Sequence, residues 1–358
     1  MPKHKKDRRK GRICGKYSVL PKTALAIFIL TAAISKSGAA EILEAAAGDC
    51  ALRFARAKEA FMQDPSALPQ APDPTPEYSD IFEPDLSESP APVFYSPPAS
   101  AEATAVTIDG SSAGYTGSGA VYIKNETDYA VDTSALLAAP DKVKLSGDKV
   151  QVLIMHTHGT EAYTPTPENS YTPTDTDRTT DSRYNVLRVG QEICDILNSR
   201  GIKTVHSETL NDSPTYSGSY SRALDDISRY IKENPSIKLV IDVHRDAMIS
   251  ASGKKYKTVA DINGGQAAQL MLVCGTDAGG LVHDGWRDNL SFQLKLQSRI
   301  NTGYPGLMRP LNIRKARFNQ HVTTGSMLLE VGTSGNTLEE ALVSARIFAG
   351  ELCTALGK

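Results

Sequence analysis

The sequence predicts an α/β fold, a mainly parallel sheet flanked by helices, over residues 149–358. Two observations carry this. Short, largely apolar runs, VQVLIM (Val150–Met155) and KLVIDVH (Lys238–His244) among them, have the unbroken hydrophobicity of strands covered on both faces. Between them lie segments with apolar residues at helical spacing, such as Val186, Val189, Ile193, Ile196 and Leu197. Strands alternating with amphipathic helices imply a sheet with helices on both sides, and in such sheets a ligand crevice lies at the carboxyl ends of the strands.

Taken from the amino end, residues 1–17 form a basic cytoplasmic tail with Lys3, Lys5, Lys6, Arg8, Arg9, Lys10, Arg12 and Lys16. An apolar run follows from Val19 to Ile34, so 18–37 reads as a signal anchor, a single membrane pass with the rest of the chain outside the cytoplasm. Ser37-Gly38-Ala39 offers a cleavage site as the alternative. Residues 38–63 read as a short Ala-rich helical stalk. Residues 64–104, dominated by Pro, Ser, Asp and Glu, bury too little to offset the entropy of ordering and read as a disordered linker. Residues 105–148, with alternating segments at Ala105–Asp109 and Ala120–Lys124 and a further one at Asp132–Ala139, read as a small β-rich lead-in.

In the main domain, 149–358, helices are expected at Ser182–Ser199, around Tyr220, Leu224, Ile227 and Ile231, at Asp288–Thr302 and at Thr337–Leu356, the last opened by a capping box of Thr337 and Glu340. Lys203–His206, Ala268–Cys274 and Ser326–Val331 supply further strands. The 39 Lys and Arg against 41 Asp and Glu leave a formal charge of −2, and no basic footprint for nucleic acid. The five cysteines are scattered without C-x-x-C pairs and read as small buried hydrophobes rather than disulfides or metal ligands. There is no glycine-rich phosphate loop.

Three strands end in ionisable groups: His156-Thr-His158-Gly-Thr-Glu161, Asp242-Val-His244-Arg245-Asp246, and Glu330-Val-Gly332. Apolar strands tolerate such groups only when they are paired or bound. The set suits a catalytic zinc, which takes three His, Asp or Glu ligands and leaves a position for water, with a further carboxylate to move protons. Two histidines and Glu161 supply ligands and Glu330 the base. Asp242 is expected to orient a ligand or cap backbone, while His206, His283 and His321 have no comparable setting.

At these residues the sequence resembles the stage II sporulation protein P family, and through it the zinc N-acetylmuramoyl-L-alanine amidases. VLIMHTHGTEAYTP (Val152–Pro165), IDVHRD (Ile241–Asp246) and LLEVGTSGNTLEEA (Leu328–Ala341) carry the resemblance, which covers roughly residues 105–358. It implies an amidase-like fold around one Zn2+ and hydrolysis of the muramic acid–L-alanine amide of peptidoglycan during engulfment, with cutting of peptide cross-links also attributed to the family. Stage II sporulation proteins D and M are the partners it implies. By residue, it makes His158 and His244 metal ligands, with His156 the alternative to His158, and Glu330 the catalytic glutamate. Amidases carry their glutamate ligand at the start of the following helix, where this chain has Asp181-Ser-Arg-Tyr-Asn185 and no Glu. Glu161 is therefore the candidate third ligand, with Asp181 the alternative, and Arg245 and Asp246 are expected to bind substrate or orient His244. Two competing readings share the cleft: a non-catalytic wall-binding scaffold, and an endopeptidase.

Overall fold

The strands come first, because their order decides which side chains meet. The computed structural model describes residues 103–110 and 114–358; the expected tail, anchor, stalk and nearly all of the linker lie outside the described residues. The described strands are β1 (Thr104–Val106), β2 (Thr116–Ser118), β3 (Val121–Asn125), β4 (Val152–Met155), β5 (Thr204–His206), β6 (Leu239–Asp246), β7 (Tyr256–Ile262), β8 (Gly265–Ala268), β9 (Leu270–Gly275), β10 (Leu311–Arg314) and β11 (Met327–Thr333). The helices are α1 (Thr133–Ala138), α2 (Val186–Ser199), α3 (Ser219–Glu233), α4 (Trp286–Gly303) and α5 (Leu338–Ala355). Eight strands form one sheet in the order β2-β3-β10-β9-β11-β6-β4-β5, and β1-β7-β8 form a smaller one.

The large sheet is mixed, which corrects the expectation of a mainly parallel one. β5, β4, β6 and β11 run parallel, as do β9, β10 and β3, but β9 pairs antiparallel with β11 and β2 antiparallel with β3. The reason is the β7–β8 hairpin. Ile262 pairs with Gly265 across a two-residue turn, Asn263-Gly264, whose φ angles of 52° and 83° are those of a primed turn. With this hairpin inserted after β6, the chain enters β9 at the edge where β11 ends, Leu270 facing Val331, and runs back.

Strand alternation sends one set of side chains to each face. On one face Ile154, Ile241, Val243, Leu272, Ile313, Leu329 and Val331 pack with Val189 and Ile193 of α2, Leu290 and Leu294 of α4, and Phe348 and Leu352 of α5. On the other, Leu153, Met155 and Val240 meet Ala223 and Ile227 of α3, while Met271, Val273 and Leu328 meet Tyr220 and Phe318. Asp242, His244 and Asp246 alternate with Ile241 and Val243, and Glu330 lies between Leu329 and Val331, so these four belong to the second face.

The segment expected as a β-rich lead-in is built into these sheets. β1 pairs with β7 and β3 with β10, and Asp132–Ala139 is helical rather than extended, because the Asp132 side chain accepts from Ala135 N at 2.9 Å and caps α1. α2 starts at Val186, later than Ser182, since Asn185 caps it by accepting from Leu187 N. The Thr337–Glu340 capping box opens α5 as read. Cys194, Cys274 and Cys353 are buried and unpaired. No helix among the described residues is long and apolar enough to cross a membrane.

Candidate active site

β4, β6 and β11 are adjacent and parallel, so their carboxyl ends share one edge. Glu330 is in register with His244 across the β6–β11 ladder. Just beyond, the ladder breaks: the register shifts between Glu330 and Thr333, and Gly332 takes a φ of 71°. A Cβ there would lie 2.8 Å from Asn336 Oδ1 and 2.9 Å from the Ala268 Cβ, so the turn needs both the left-handed backbone and the missing side chain of glycine.

Past β4 the chain turns sharply, Glu161 N donating to His158 O at 3.2 Å, and the Glu161 carbonyl accepts from Val186 N at the start of α2. The turn puts His158 and Glu161 against β6. The His158 and His244 rings meet edge to face with centroids 5.2 Å apart, and His244 Nδ1 lies 3.5 Å from Glu161 Oε2. Asp242 holds the arrangement from beneath. It accepts from Thr157 N at 2.8 Å and from Thr157 Oγ1 at 2.6 Å, and its Oδ1 is 2.9 Å from His244 Nε2.

Charge is unevenly distributed over this cluster. Burial, aided by the charges of His244, Arg178 and Arg245, holds the His158 pKa well below the usual imidazole value despite Glu161, so the ring is neutral. Burial acts the same way on His244, but Asp242 and Glu161 outweigh it and its pKa is well raised. Glu161 is also desolvated, yet the His244 hydrogen bond and the Arg245 charge lower its pKa and keep it ionised. Glu330 goes the opposite way: burial first and the Asp246 charge second raise its pKa well above the carboxylate range, against the pull of His244.

His156 is turned elsewhere. Its Nδ1 bonds the Val243 carbonyl at 2.8 Å, and its Nε2 lies 2.8 Å from His206 Nε2, whose ring in turn bonds Gln191. His206, read as an ordinary histidine, is therefore the partner of His156, and Gly190 leaves room for both rings. Asp181 pairs with Arg183 at 2.6 Å, away from the imidazoles, while its neighbour Asn185 is consumed in capping α2. Arg245 was expected to bind substrate or orient His244. Being one residue out of phase, it points to the other face, where its guanidinium donates to the carbonyls of Ala162 and Asp177, and its backbone N–H holds Glu161 Oε2 at 3.0 Å. Asp246 stays on the site's face and accepts from Arg309 Nη1 at 2.7 Å.

Four residues to which the sequence assigns no site role also reach the cluster. Tyr216 stacks on His158 at 4.4 Å with its hydroxyl 3.2 Å from Nε2, and Tyr220 meets the same ring at 5.5 Å. Arg178 pairs with buried Asp212 at 2.9 Å and reaches to 3.9 Å from Glu161 Oε1. No local pattern marks Tyr216, Arg178 or Asp212, which only the segment after β5 and the polar loop before α2 bring to the site, while Tyr220 sits in the first turn of α3.

As they stand, no group of three or more His, Cys, Asp or Glu side chains among the described residues is arranged to hold a metal ion. The donors are nevertheless of the right kind. Two imidazoles and an ionised carboxylate form a common zinc-ligand set, and two buried polar atoms of this cluster, His158 Nδ1 and Glu330 Oε2, have no hydrogen-bond partner, while His244 Nε2 faces only the Asp242 carboxylate. Buried polar atoms left without partners are costly.

Residues 95–352 match the family described as Stage II sporulation protein P. The chain is 31% identical over 206 residues to the Stage II sporulation protein P of Bacillus subtilis (strain 168), a match spanning 54% of this chain and 48% of that protein. It thus spans about half the length of that relative. Among solved structures it is similar to the N-acetylmuramoyl-L-alanine amidase AmiC2 of Nostoc punctiforme, with 13% identity and a TM-score of 0.35 over 59% of this chain and 96% of that one. The amidase Ami1 of Mycobacterium smegmatis gives 13% identity and a TM-score of 0.37 over 59% and 99%.

Proposed function

The chain belongs to the stage II sporulation protein P family, and from that premise we propose that it is a zinc-dependent peptidoglycan hydrolase that cuts the amide between N-acetylmuramic acid and L-alanine during sporulation. The observation that carries the reading is the meeting of His158, Glu161, His244 and Glu330 at one sheet edge, buried, with the His158 Nδ1 and a Glu330 carboxyl oxygen left unbonded.

His158, His244 and Glu161 would hold the zinc, which when bound supplies a Lewis acid and a water acidified toward a pKa of about 7. Asp242 fixes the orientation of His244 and ties it to the end of β4 through Thr157. Glu330 is the proton carrier. Ionised, it takes a proton from the attacking water; protonated, the form that burial and Asp246 favour, it gives one to the departing L-alanine amine. Tyr216 and Tyr220 pack on His158 and restrict water behind it. The apolar run at 18–37 would anchor the protein in the cell membrane with this domain outside the cytoplasm. Peptidoglycan is then its substrate, and stage II sporulation proteins D and M its partners.

The test is dye release from labelled cell walls by the full chain. Chelation is expected to stop release and added zinc to restore it. Glu330→Gln is expected to lose roughly 10²–10⁴-fold in rate while keeping wild-type zinc content. Full activity in metal-free protein, or in Glu330→Gln, would sink the hydrolase mechanism. Mass analysis of the products separates the remaining readings: new L-alanine amino groups mark an amidase, new peptide ends an endopeptidase, and binding without products a scaffold.

A further inference from the structure

A cavity of about 320 Å³ opens on the sheet face that carries the site, within the usual range of ligand pockets of about 300–1,000 Å³. Met271 forms part of its lining and lies directly opposite Glu330 in the β9–β11 ladder. Paired residues of an antiparallel ladder share a face with Cβ atoms about 5 Å apart. Asp246, another lining residue, is two positions beyond His244 and on the same face of β6. The cavity is therefore next to the proton carrier, on the side away from β4.

Its chemistry is specific. Asn312 lines it from β10 with a side chain only 4% exposed and an Oδ1 that has no hydrogen-bond partner, a buried acceptor in want of an N–H. Lys124, in register with Asn312 on β3, is paired with Glu126 at 2.6 Å, but its side chain is 46% exposed, and such pairs are worth little. It can turn to a ligand anion at small cost. Lys124 and Arg309 against Asp246 leave the lining with one excess positive charge. Apolar surface comes from Met248, Tyr256 and Ile249, the last 46% exposed. The N-acetylated sugars of the wall also offer N–H and methyl groups, but their lactyl carboxyl is tied up in the amide, so a free carboxylate for Lys124 is presented by the peptide alone.

We propose that this cavity is the subsite for the peptide part of the substrate. Asn312 accepts a peptide N–H, Lys124 receives a carboxylate of the peptide, and Ile249 and Tyr256 cover an apolar side chain. The assignment rests on the hydrolase reading only for its link to Glu330, and it adds which side of the cut bond lies toward β9 and β10.

The test is calorimetric binding to the full chain of three probes: a synthetic stem tetrapeptide with a free carboxyl terminus, the same peptide amidated there, and a peptide-free glycan disaccharide. The free acid is expected to bind, and Lys124→Glu to weaken it about tenfold while leaving the amidated peptide unaffected. Asn312→Leu is expected to weaken both peptides, with circular dichroism checking that the buried substitution preserves the fold. Unchanged affinity of the free acid in Lys124→Glu, a surface variant that does not threaten folding, would overturn the assignment. So would disaccharide binding that displaces the peptide. Loss of both hydrolysis and peptide selectivity cannot be confused: Lys124-dependent binding without turnover removes the hydrolase and keeps the subsite, whereas turnover with a KM indifferent to Lys124→Glu does the reverse.

Discussion

Asp242 does the most with one side chain. Both of its oxygens accept from Thr157, which fixes the end of β4, and Oδ1 also faces His244 Nε2. An amide at this position keeps the size but offers one acceptor where two donors need two, and it removes the charge that holds His244. Partners of this kind typically matter 10–100-fold in metal affinity or activity. Asp242→Asn is therefore expected to lose about that factor in zinc affinity, measured by competition with a chelating dye, with little change in the circular dichroism spectrum. Wild-type affinity in the variant would mean that Asp242 serves only the backbone. The neighbouring Arg245 shows why identity alone does not assign a role. It is the residue next to His244, yet the period-two alternation of a strand sends it to the far side, where it clasps the loop that carries Glu161.

At the scale of elements, the site depends on how strands stop. β11 delivers Glu330 and must leave the β6 ladder at once, and Gly332 makes that possible with a φ of 71° and no Cβ. Gly332→Ala would impose a left-handed backbone on an L side chain and contacts of 2.8 and 2.9 Å with Asn336 and Ala268. The backbone cost alone is about 1–2 kcal/mol, with the crowding added to it. A lower urea midpoint with unchanged slope is the expected result, together with a fall in activity greater than the fraction unfolded explains, because Glu330 sits two residues away. An alanine variant as stable as wild type would show that the bulge relaxes. Much at this scale was readable in advance. The apolar runs ending at Met155, His244 and Val331 correspond to the three strands that converge, and Thr337 with Glu340 marked the start of α5. The Asn263-Gly264 turn is a sequence signal of the same kind, and the reversal that makes the sheet mixed follows from it.

Across the whole molecule, strand-end chemistry could be read because buried ionisable groups break a local apolar pattern. Tyr216, Arg178 and Asp212 could not, since each looks like an ordinary loop residue until the chain folds back on His158 and Glu161. The same burial that builds the site makes the protein sensitive to acid, and the histidines show it with opposite signs. His283 is 2% exposed, and burial, with the charges of His321 and Arg317, lowers its pKa to about 4. In the unfolded chain it returns to about 6.5. Between those values the unfolded state binds more protons, so the stabilisation from a neutral His283 is complete above about pH 6.5 and is lost as the pH falls toward 4. His244, with its pKa raised by Asp242 and Glu161, contributes in the other sense: its stabilisation is present below about pH 6.5 and is lost as the pH rises through the folded value. Replacing His283 removes only the first effect. Wild type is expected to lose on the order of 1–2 kcal/mol more than His283→Gln when urea unfolding is compared at pH 6.5 and pH 4.5. Parallel stability curves for the two proteins would show that His283 takes up its proton in the folded state as readily as in the unfolded one, and that its burial between α4 and the 317–321 segment carries no cost in acid.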